Sequence, residues 1–284
     1  MKELQIKCPA KINLSLDVVN RREDGYHNLK MIMQEIKLYD ILTFSIDEDC
    51  RQTQIILEAD STELPLDESN LIYKAAKLFF HKTEISASAR IHLRKNIPMG
   101  AGLGGGSTDA AGTLLALNKV FGEPLTIARL AQMAKALGAD VPFFLHGGCM
   151  LAEGIGEILT PIPPLKNVYI VLAKPPVHIS TPWVYKNLVL NENTAHPDTN
   201  SVIEALKTNN LRLLSQSAGN VLESVTAREY PQIEEYKAVM KSHGASYSLM
   251  SGSGSSVFGI FSHETEALSA LEEFKKITSC AYIV

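Results

Sequence analysis

Residues 97–109 read IPMGAGLGGGSTD, with five glycines within residues 100–106, and they lead into a segment with helical periodicity. Glycine has no side chain to bury and loses more backbone freedom on folding than other residues, so this run costs stability. It is expected where another group approaches the backbone closely. Consecutive backbone N–H groups at the start of a helix attract phosphate without basic side chains. The run therefore predicts a phosphate site.

Three known glycine-rich motifs differ from this run. A Walker A loop has Lys and then Ser or Thr after its last glycine, whereas Ser107 follows Gly106 directly. A protein-kinase loop is followed by VAIK, HRD and DFG motifs, which this sequence lacks. The dinucleotide fingerprint GxGxxG is matched by Gly100, Gly102 and Gly105. However, that fold requires the helix to return into a parallel strand, and here the helix runs into FGEPLT.

Two alternatives to the phosphate site stay open on spacing alone. One is the dinucleotide fold, and the other is a plain hinge in which Ser107 only caps the helix. In a phosphate site, Ser107 and Thr108 would add hydroxyl donors or a metal ligand. Asp109 would repel a bound phosphate, so we expect its side chain to face away from the site.

Composition excludes several classes of protein. The chain has 284 residues, of which 45% are hydrophobic and 20% charged, as in an ordinary globular protein. A formal net charge of -4 without a long basic run argues against nucleic-acid binding. No apolar stretch approaches the roughly 20 residues that cross a bilayer, and the start MKELQIK is too charged for a secretory signal. We therefore expect a cytoplasmic protein that binds neither nucleic acid nor membrane.

The cysteines and histidines give no sign of a built-in metal site. Cys8, Cys50, Cys149 and Cys280 are far apart in sequence and form no CxxC pair, so they are predicted to be reduced thiols. The eight histidines show no HExxH or HxxxH spacing, which argues against zinc.

Periodicity predicts an α+β protein. Strands are expected at 4–19, 53–59, 89–96, 168–173 and 280–284, with two more around a glycine-serine loop in 246–261. Helices are expected at 70–83, 107–121, 126–138 (ended by Gly138), 231–245 and 264–277. The proline-rich patch TPIPPL at 160–165 should interrupt any regular element and is the preferred domain boundary. The elements after it follow the order of a ferredoxin-like split sandwich.

Three motifs together resemble the GHMP kinase superfamily. PMGAGLGGGST is similar to its phosphate loop, PAKINLSL to its first motif, and LMSGSGSSVFGIF to its third, so the resemblance covers the chain from end to end. It implies a ribosomal-S5-like N-terminal nucleotide-binding domain (1–160) and a ferredoxin-like C-terminal domain (161–284), with the active site in the cleft between them.

Further stretches resemble one branch of that superfamily. These are PAKINLSLDVVNRREDGYHNL, PMGAGLGGGSTDAA, GADVPFFL and ISTPWVYKN. The resemblance implies transfer of the γ-phosphoryl group of ATP to the 2-hydroxyl of a diphosphocytidyl-linked methylerythritol, in the non-mevalonate route to isoprenoid precursors. Homoserine or mevalonate kinase activity is an alternative, against which DGYH and Tyr185 argue. An NAD-binding oxidoreductase, which goes with the dinucleotide fold, is the other alternative.

The resemblance also implies roles for individual residues. Asp140 would be the general base and Lys11 would keep its carboxylate ionised. Spacing alone equally allows Asp140 to be a helix N-cap. For Lys11 the alternative is one more solvated lysine, and its place inside an otherwise apolar alternating run argues against that. Tyr26 and Tyr185 would stack on cytosine and His27 would read its edge. Asn13 and Thr181 are further substrate candidates, although Thr181 followed by Pro182 also fits the start of a helix.

For ATP, the resemblance offers the phosphate loop, with two weaker candidates near the base. Mg²⁺ is expected to arrive with the nucleotide, and its protein ligands are unknown. We expect a monomer or a weak homodimer. The predicted ATP-binding residues are Pro98, Met99, Gly100, Ala101, Gly102, Leu103, Gly104, Gly105, Gly106, Ser107 and Thr108, with Asn70 and Lys95 near the base.

Overall fold

The computed structural model describes residues 1–50 and 52–284. Within this range, the chain forms two compact units, each built from separated segments. The strands are β1 (Lys2–Arg21), β2 (His27–Asp47), β3 (Gln54–Ala59), β4 (Ser88–Arg94), β5 (Cys149–Gly154), β6 (Ile158–Pro161), β7 (Tyr169–Ala173), β8 (Tyr247–Met250), β9 (Val257–Phe261) and β10 (Ala281–Ile283). The helices are α1 (Leu71–Thr83), α2 (Gly105–Val120), α3 (Ile127–Leu137), α4 (Val141–His146), α5 (Thr181–Asn187), α6 (Thr199–Thr208), α7 (Leu211–Ser217), α8 (Glu223–Glu229), α9 (Gln232–Ser242) and α10 (Glu264–Ile277).

Unit 1 is an α+β layer that contains Met1–Ala10, Lys37–Met99 and Gly104–Gly147. Here the second part of β2 pairs antiparallel with β4, and β3 pairs parallel with β4. Helix α2 is buried on nearly all sides and contacts α1, α3 and α4. A Cβ atom built on Gly112 of this helix would lie 2.4 Å from the Sγ atom of Cys8. Glycine is therefore required where α2 approaches β1.

Unit 2 contains Lys11–Ile36, Gly100–Leu103 and Gly148–Val284. The first part of β2 pairs with β5, and β5 with β6. A second sheet has the antiparallel order β10-β7-β9-β8, and helices α9 and α10 pack on it. Taking β7, β8, β9 and β10 as strands one to four, this is the order 4-1-3-2 of a ferredoxin-like fold, so that prediction is confirmed. Helices α5 to α8 are inserted between the first strand and α9.

Most predicted elements are present, and the missed ones have physical reasons. The start of long strand β2 was not predicted because residues 31–34 are buried on both faces, which hides the two-residue alternation. From residue 36 on, buried and less buried residues alternate, so a strand signal was present there and was not used. Strands β5 and β6 and helices α6 to α8 were also missed. The expectation that residues 160–165 interrupt any regular element is wrong at its start, because β6 continues to Pro161, which faces Met150. Proline is tolerated there because β6 lies at the edge of its sheet.

The thiol prediction is confirmed within the described part of the chain. All four cysteines are free, with Cys8 and Cys149 buried and the other two half-buried. Burial raises the pKa of the Cys149 thiol to about 12, so it stays protonated. Across residues 1–50 and 52–284, no helix combines the length and the apolar character needed to span a bilayer.

The dinucleotide alternative is wrong for unit 1. In that fold, the helix after the glycines leads into a parallel strand of the same sheet. Helix α2 is instead followed by α3 and α4, and the next strand, β5, belongs to unit 2. The literal GxGxxG match arises because close backbone approach selects glycine in both kinds of loop.

Candidate active site

The first half of the glycine run, residues 100–103, lies in unit 2 against the loop between β8 and β9. Gly102 has φ +72°, and a Cβ atom built on it would lie 2.0 Å from the backbone oxygen of Ser251. The Ser251 hydroxyl donates to the carbonyl of Gly102 at 3.0 Å, and the Ser256 N–H donates to the carbonyl of Ala101 at 3.2 Å. The group that approaches this part of the run is therefore another stretch of backbone.

Lys11 lies beneath this segment. Lys11 is only 3% exposed. Its Nζ donates to Asn13 Oδ1 at 2.7 Å and to the carbonyl of Gly102 at 3.0 Å. Its backbone N–H also donates to the carbonyl of Leu103 at 3.0 Å. The alternative of a solvated lysine is wrong, because burying an ammonium group requires partners of this kind. Asn13, also buried, lies on the same side of β1 two residues on.

The loop at residues 251–256, here called the serine loop, supports residues 101 and 102 of the glycine run. The sequence indicated this loop as part of the third motif but not which residues it contacts. Besides Ser251 and Ser256, its Ser255 binds the chain before α5 and its Ser253 binds the first residue of that helix, as described below. Asn220 fixes the loop from the other side, because its Nδ2 donates to the carbonyls of Met250 at 2.9 Å and Gly252 at 2.7 Å. The recurring serines of SGSGSS were the available signal.

The second half of the glycine run begins α2 in unit 1. Gly104 is the N-cap residue, with φ +73°, and Ser107 is the third residue of the helix. The alternative that Ser107 caps the helix is therefore wrong: the cap has no side chain. The N–H groups of Gly105, Gly106 and Ser107 belong to the first turn, where they have no helical acceptor. Thr108 Oγ1 is buried without a hydrogen-bond partner among the described residues.

Asp109, just after that turn, belongs to a buried ion cluster. Lys95 Nζ pairs with Asp109 Oδ2 at 2.7 Å and also with Asp40, and all three side chains are at most 7% exposed. Asp40 Oδ1 accepts from the N–H groups of Asn96 and Ile97 at 2.7 and 2.8 Å. A Cβ atom on Gly105 would lie 3.0 Å from Lys95 Nζ, so the cluster supports the start of α2 directly.

The cluster holds two carboxylates and one ammonium group. Burial, together with the negative charge of Asp40, raises the pKa of Asp109 from 3.8 to about 7, against the opposing attraction of Lys95. Lys95 itself has a raised pKa because the two carboxylates outweigh its burial. At pH values between 3.8 and about 7, Asp109 is therefore protonated in the folded state and ionised in the unfolded chain.

We expect Asp109→Asn to flatten the pH dependence of stability. Because the pKa of Asp109 is raised on folding, the contribution of this group is fully present below its unfolded value of 3.8 and is lost progressively until the pH has risen through 7. The wild type should lose about 1 kcal/mol more free energy of unfolding than the variant between pH 6 and pH 8. Urea titrations at both pH values measure the difference. Exposed Asp67 has a lowered pKa, so Asp67→Asn should follow the wild type. If the free energy of unfolding of Asp109→Asn fell between pH 6 and pH 8 as much as that of the wild type, the raised pKa of Asp109 would be contradicted.

Asn70 and Asp140 both occupy N-cap positions in unit 1, with different use of their side chains. Asn70 Oδ1 accepts from the Ile72 N–H at 2.9 Å, and its Nδ2 donates to the carbonyl of Pro65 at 2.8 Å. Asp140 precedes α4, but its carboxylate makes no capping hydrogen bond to that helix. Asp140 therefore occupies the N-cap position of α4, but its side chain does not cap the helix. The base contacts of Asn70 and Lys95 stay predictions.

The predicted cytosine residues lie in unit 2. Tyr26 is 61% exposed at the turn between β1 and β2, where its N–H donates to Asp24 Oδ1 at 3.1 Å. The rings of His27 and Tyr185 lie 5.1 Å apart at an angle of 32°. Partial burial and the charge of Arg21 lower the pKa of His27, which favours a neutral imidazole with one donor and one acceptor.

Thr181 is joined to the serine loop. Its hydroxyl lies 2.6 Å from the Ser253 hydroxyl. The N-cap of α5 is Ser180, so the alternative that Thr181 caps this helix is wrong by one position. Thr181 is the first residue of α5, which also carries Tyr185. A direct contact of Thr181 with substrate stays a prediction.

No group of three His, Cys, Asp or Glu side chains within residues 1–50 and 52–284 is arranged to hold a metal ion. Mg²⁺ bound with a nucleotide needs no such group, because it keeps several waters and is held mainly by phosphates and one or two protein oxygens. The buried hydroxyl of Thr108, which lacks a partner in the described chain, fits such a role.

Comparison with known proteins places this arrangement in a family. The profile of the GHMP kinases N terminal domain matches residues 70–148, and that of the GHMP kinases C terminal domain matches residues 202–278. A solved homoserine kinase from Cytophaga hutchinsonii shares the fold, with a TM-score of 0.78 at 21% identity. The match covers 100% of this chain and 95% of that kinase.

Two other relatives are more similar. A 4-diphosphocytidyl-2-C-methyl-D-erythritol kinase of Lachnoclostridium phytofermentans is 45% identical over 97% of this chain and 94% of its own length. A solved 4-(cytidine 5'-diphospho)-2C-methyl-D-erythritol kinase has a TM-score of 0.83 at 35% identity, covering 99% of this chain and 98% of that one. The chain is a small-molecule kinase of the GHMP family. Within that family it belongs with the 4-diphosphocytidyl-2-C-methyl-D-erythritol kinases.

Proposed function

We propose that this chain transfers the γ-phosphoryl group of ATP to the 2-hydroxyl of 4-diphosphocytidyl-2-C-methyl-D-erythritol. The products are the 2-phosphate and ADP, on the non-mevalonate route to isoprenoid precursors. The observation that carries the proposal is the buried ammonium group of Lys11 on the carbonyl of Gly102, 3.0 Å away, within the glycine run. Similarity over nearly the whole chain to relatives with this name supports the choice of substrate.

Phosphoryl transfer depends mainly on positioning and on stabilising the charge of the transferring group. The free N–H groups of Gly105, Gly106 and Ser107 would bind phosphate oxygens, with the positive end of the α2 dipole behind them. Lys11 would offset negative charge at the transferring group. Asp140, which matches the catalytic aspartate of the family in GADVPFFL, would accept the proton of the attacking hydroxyl. Mg²⁺ would neutralise phosphate charge when bound with ATP, and Thr108 is its candidate protein ligand.

The substrate side of the proposal rests on residues of unit 2. Cytosine presents an amino donor and ring acceptors on one edge, and a neutral His27 can meet one of these groups with either its acceptor or its donor nitrogen. Tyr26 and Tyr185 offer aromatic faces for the ring. Asn13, held by Lys11, and Thr181, held by Ser253, are further candidate contacts. The oligomeric state, monomer or weak homodimer, and the cytoplasmic location stay predictions.

The test is ADP release from ATP with three acceptors in parallel. The purified chain is supplied with 4-diphosphocytidyl-2-C-methyl-D-erythritol, mevalonate or homoserine at equal concentrations. We expect turnover with the cytidyl acceptor alone, and phosphorus NMR of the product should show a new phosphate monoester. A preference for mevalonate or homoserine would overturn the substrate assignment while leaving the family intact.

We expect Tyr26→Ala to raise the KM for the cytidyl substrate by about tenfold, because stacking on a base contributes roughly 1–3 kcal/mol. The KM for ATP should change little. Since Tyr26 is largely exposed, the variant should unfold at the wild-type temperature. Tyr26→Phe keeps the ring and is the matched control. Equal effects on both substrates would refute a cytosine contact.

A further inference from the structure

The segment between β7 and α5, residues 174–180, is fixed by the serine loop on either side of His178. The Val177 carbonyl accepts from the Ser255 hydroxyl at 3.1 Å and from Lys174 Nζ at 3.3 Å. Ile179 is buried, and its Cδ1 lies 3.2 Å from the position of a Cβ atom on Gly254. Residue 178 therefore has little freedom to move along the chain.

His178 lies directly against the first glycine of the run. Its Nδ1 and Cε1 atoms are 3.0 and 3.1 Å from the position that a Cβ atom would take on Gly100. Gly100 has φ +58°, and both residues are exposed to solvent. The imidazole thus occupies the space that any side chain at position 100 would need, and its outer edge is open to a ligand.

The same serine loop positions both partners. Ser251 and Ser256 hold residues 101 and 102, while Ser253 and Ser255 hold residues 177 and 181. Because one loop fixes both segments, the backbone of residue 178 is held beside Gly100 by the fold itself.

We propose that His178 is a phosphate-binding residue that donates a ring N–H to a nucleotide phosphate lying over Gly100. This inference rests on the proposed function, because it takes residues 98–108 as the phosphate loop. Both substrates carry suitable groups: the polyphosphate of ATP and the diphosphate of the cytidyl acceptor. Imidazole is a suitable donor, since hydrogen bonds to charged acceptors are among the stronger ones in proteins.

Binding titrations of the intact protein test this without requiring turnover. We compare wild type, His178→Ala and His178→Gln, using a nonhydrolysable ATP analogue and the cytidyl substrate in separate arms. Loss of a hydrogen bond to a charged group should weaken one ligand by about tenfold in His178→Ala, and Gln should restore most of the affinity through its amide N–H. The arm that changes identifies which phosphate is bound. Unchanged affinities in both arms, or a Gln variant as weak as Ala, would overturn the proposal.

A second measurement tests the contact between His178 and Gly100 itself. In Gly100→Ala the new methyl group meets the imidazole, whereas in the double variant with His178→Ala that space is vacant. The double variant should therefore lose less nucleotide affinity than the sum of the losses in the two single variants. Additive penalties would show that the two residues do not touch. Wild-type binding and turnover in the same assays report on the proposed function separately from His178.

Discussion

Asp140→Asn is expected to lower turnover by about two orders of magnitude or more, since a general base contributes roughly 10²- to 10⁴-fold. The amide keeps the shape of the side chain but cannot accept the proton of the attacking hydroxyl. Binding of ATP and of the cytidyl substrate should remain near the wild-type level, so the loss should fall on kcat. Single-turnover measurements at saturating substrate separate the chemical step from product release.

A second aspartate at an N-cap provides the control for Asp140. Asp198 caps α6, because its Oδ1 accepts from the N–H groups of Asn200 and Ser201, both at 3.1 Å. Asp198→Ala should cost about 1 kcal/mol of stability and leave turnover unchanged. Asp140→Asn should show the opposite pattern, with its melting temperature preserved. If Asp140→Asn kept full turnover, this residue would have no part in the mechanism.

Gly102→Ala is expected to destabilise the protein by about 2–5 kcal/mol, combining the cost of a left-handed alanine with that of an overpacked contact. Its Cβ atom would lie 2.0 Å from the backbone oxygen of Ser251, and neither backbone segment can rotate away as a flexible side chain could. The segment should shift and carry with it the carbonyl that accepts from Lys11. Turnover should therefore fall along with the free energy of unfolding.

Gly122→Ala separates the two causes. Gly122 has φ +78°, but no atom lies within 4 Å of its Cβ position. This variant should show the cost of the left-handed backbone alone, about 1–2 kcal/mol, with normal turnover. Chemical denaturation of both variants, with activity measured in parallel, gives the comparison. Equal losses of stability at the two positions would mean that the approach of Ser251 contributes nothing.

The sequence predicted the elements whose residues alternate between a buried and an exposed face. Strand β4 and helix α10 are examples, because every second residue of β4, and every third and fourth residue of α10, faces the core. The pattern is absent from the start of β2, where Met31 and Ile32 are both buried, and neighbouring apolar residues carry no period. In the same strand, Asp40 stands at a buried position because Lys95, 55 residues later, neutralises it. No local pattern contains that information.

Residues of the candidate site divide in the same way. Gly102 was identified because a glycine run is unusual in itself, and Lys11 because PAKINLSL resembles the first motif of the family. The roles of Ser251, Asn220 and His178 were not predicted, because these are common residue types and their sequence neighbours give no signal of a contact. They gain a role only because the chain brings residues far apart in sequence within hydrogen-bonding distance.

The sequence alone determined the two-domain α+β class and the ferredoxin-like order of the later strands, and it predicted a phosphate site at the glycine run. These follow from local properties, namely periodicity and the absence of Cβ atoms. Only the tertiary structure decided why Gly102 must be glycine, that Ser107 is no cap, and that Asp109 turns inward to Lys95. The physical reason is that steric exclusion and burial of charge depend on which distant atoms arrive at a position.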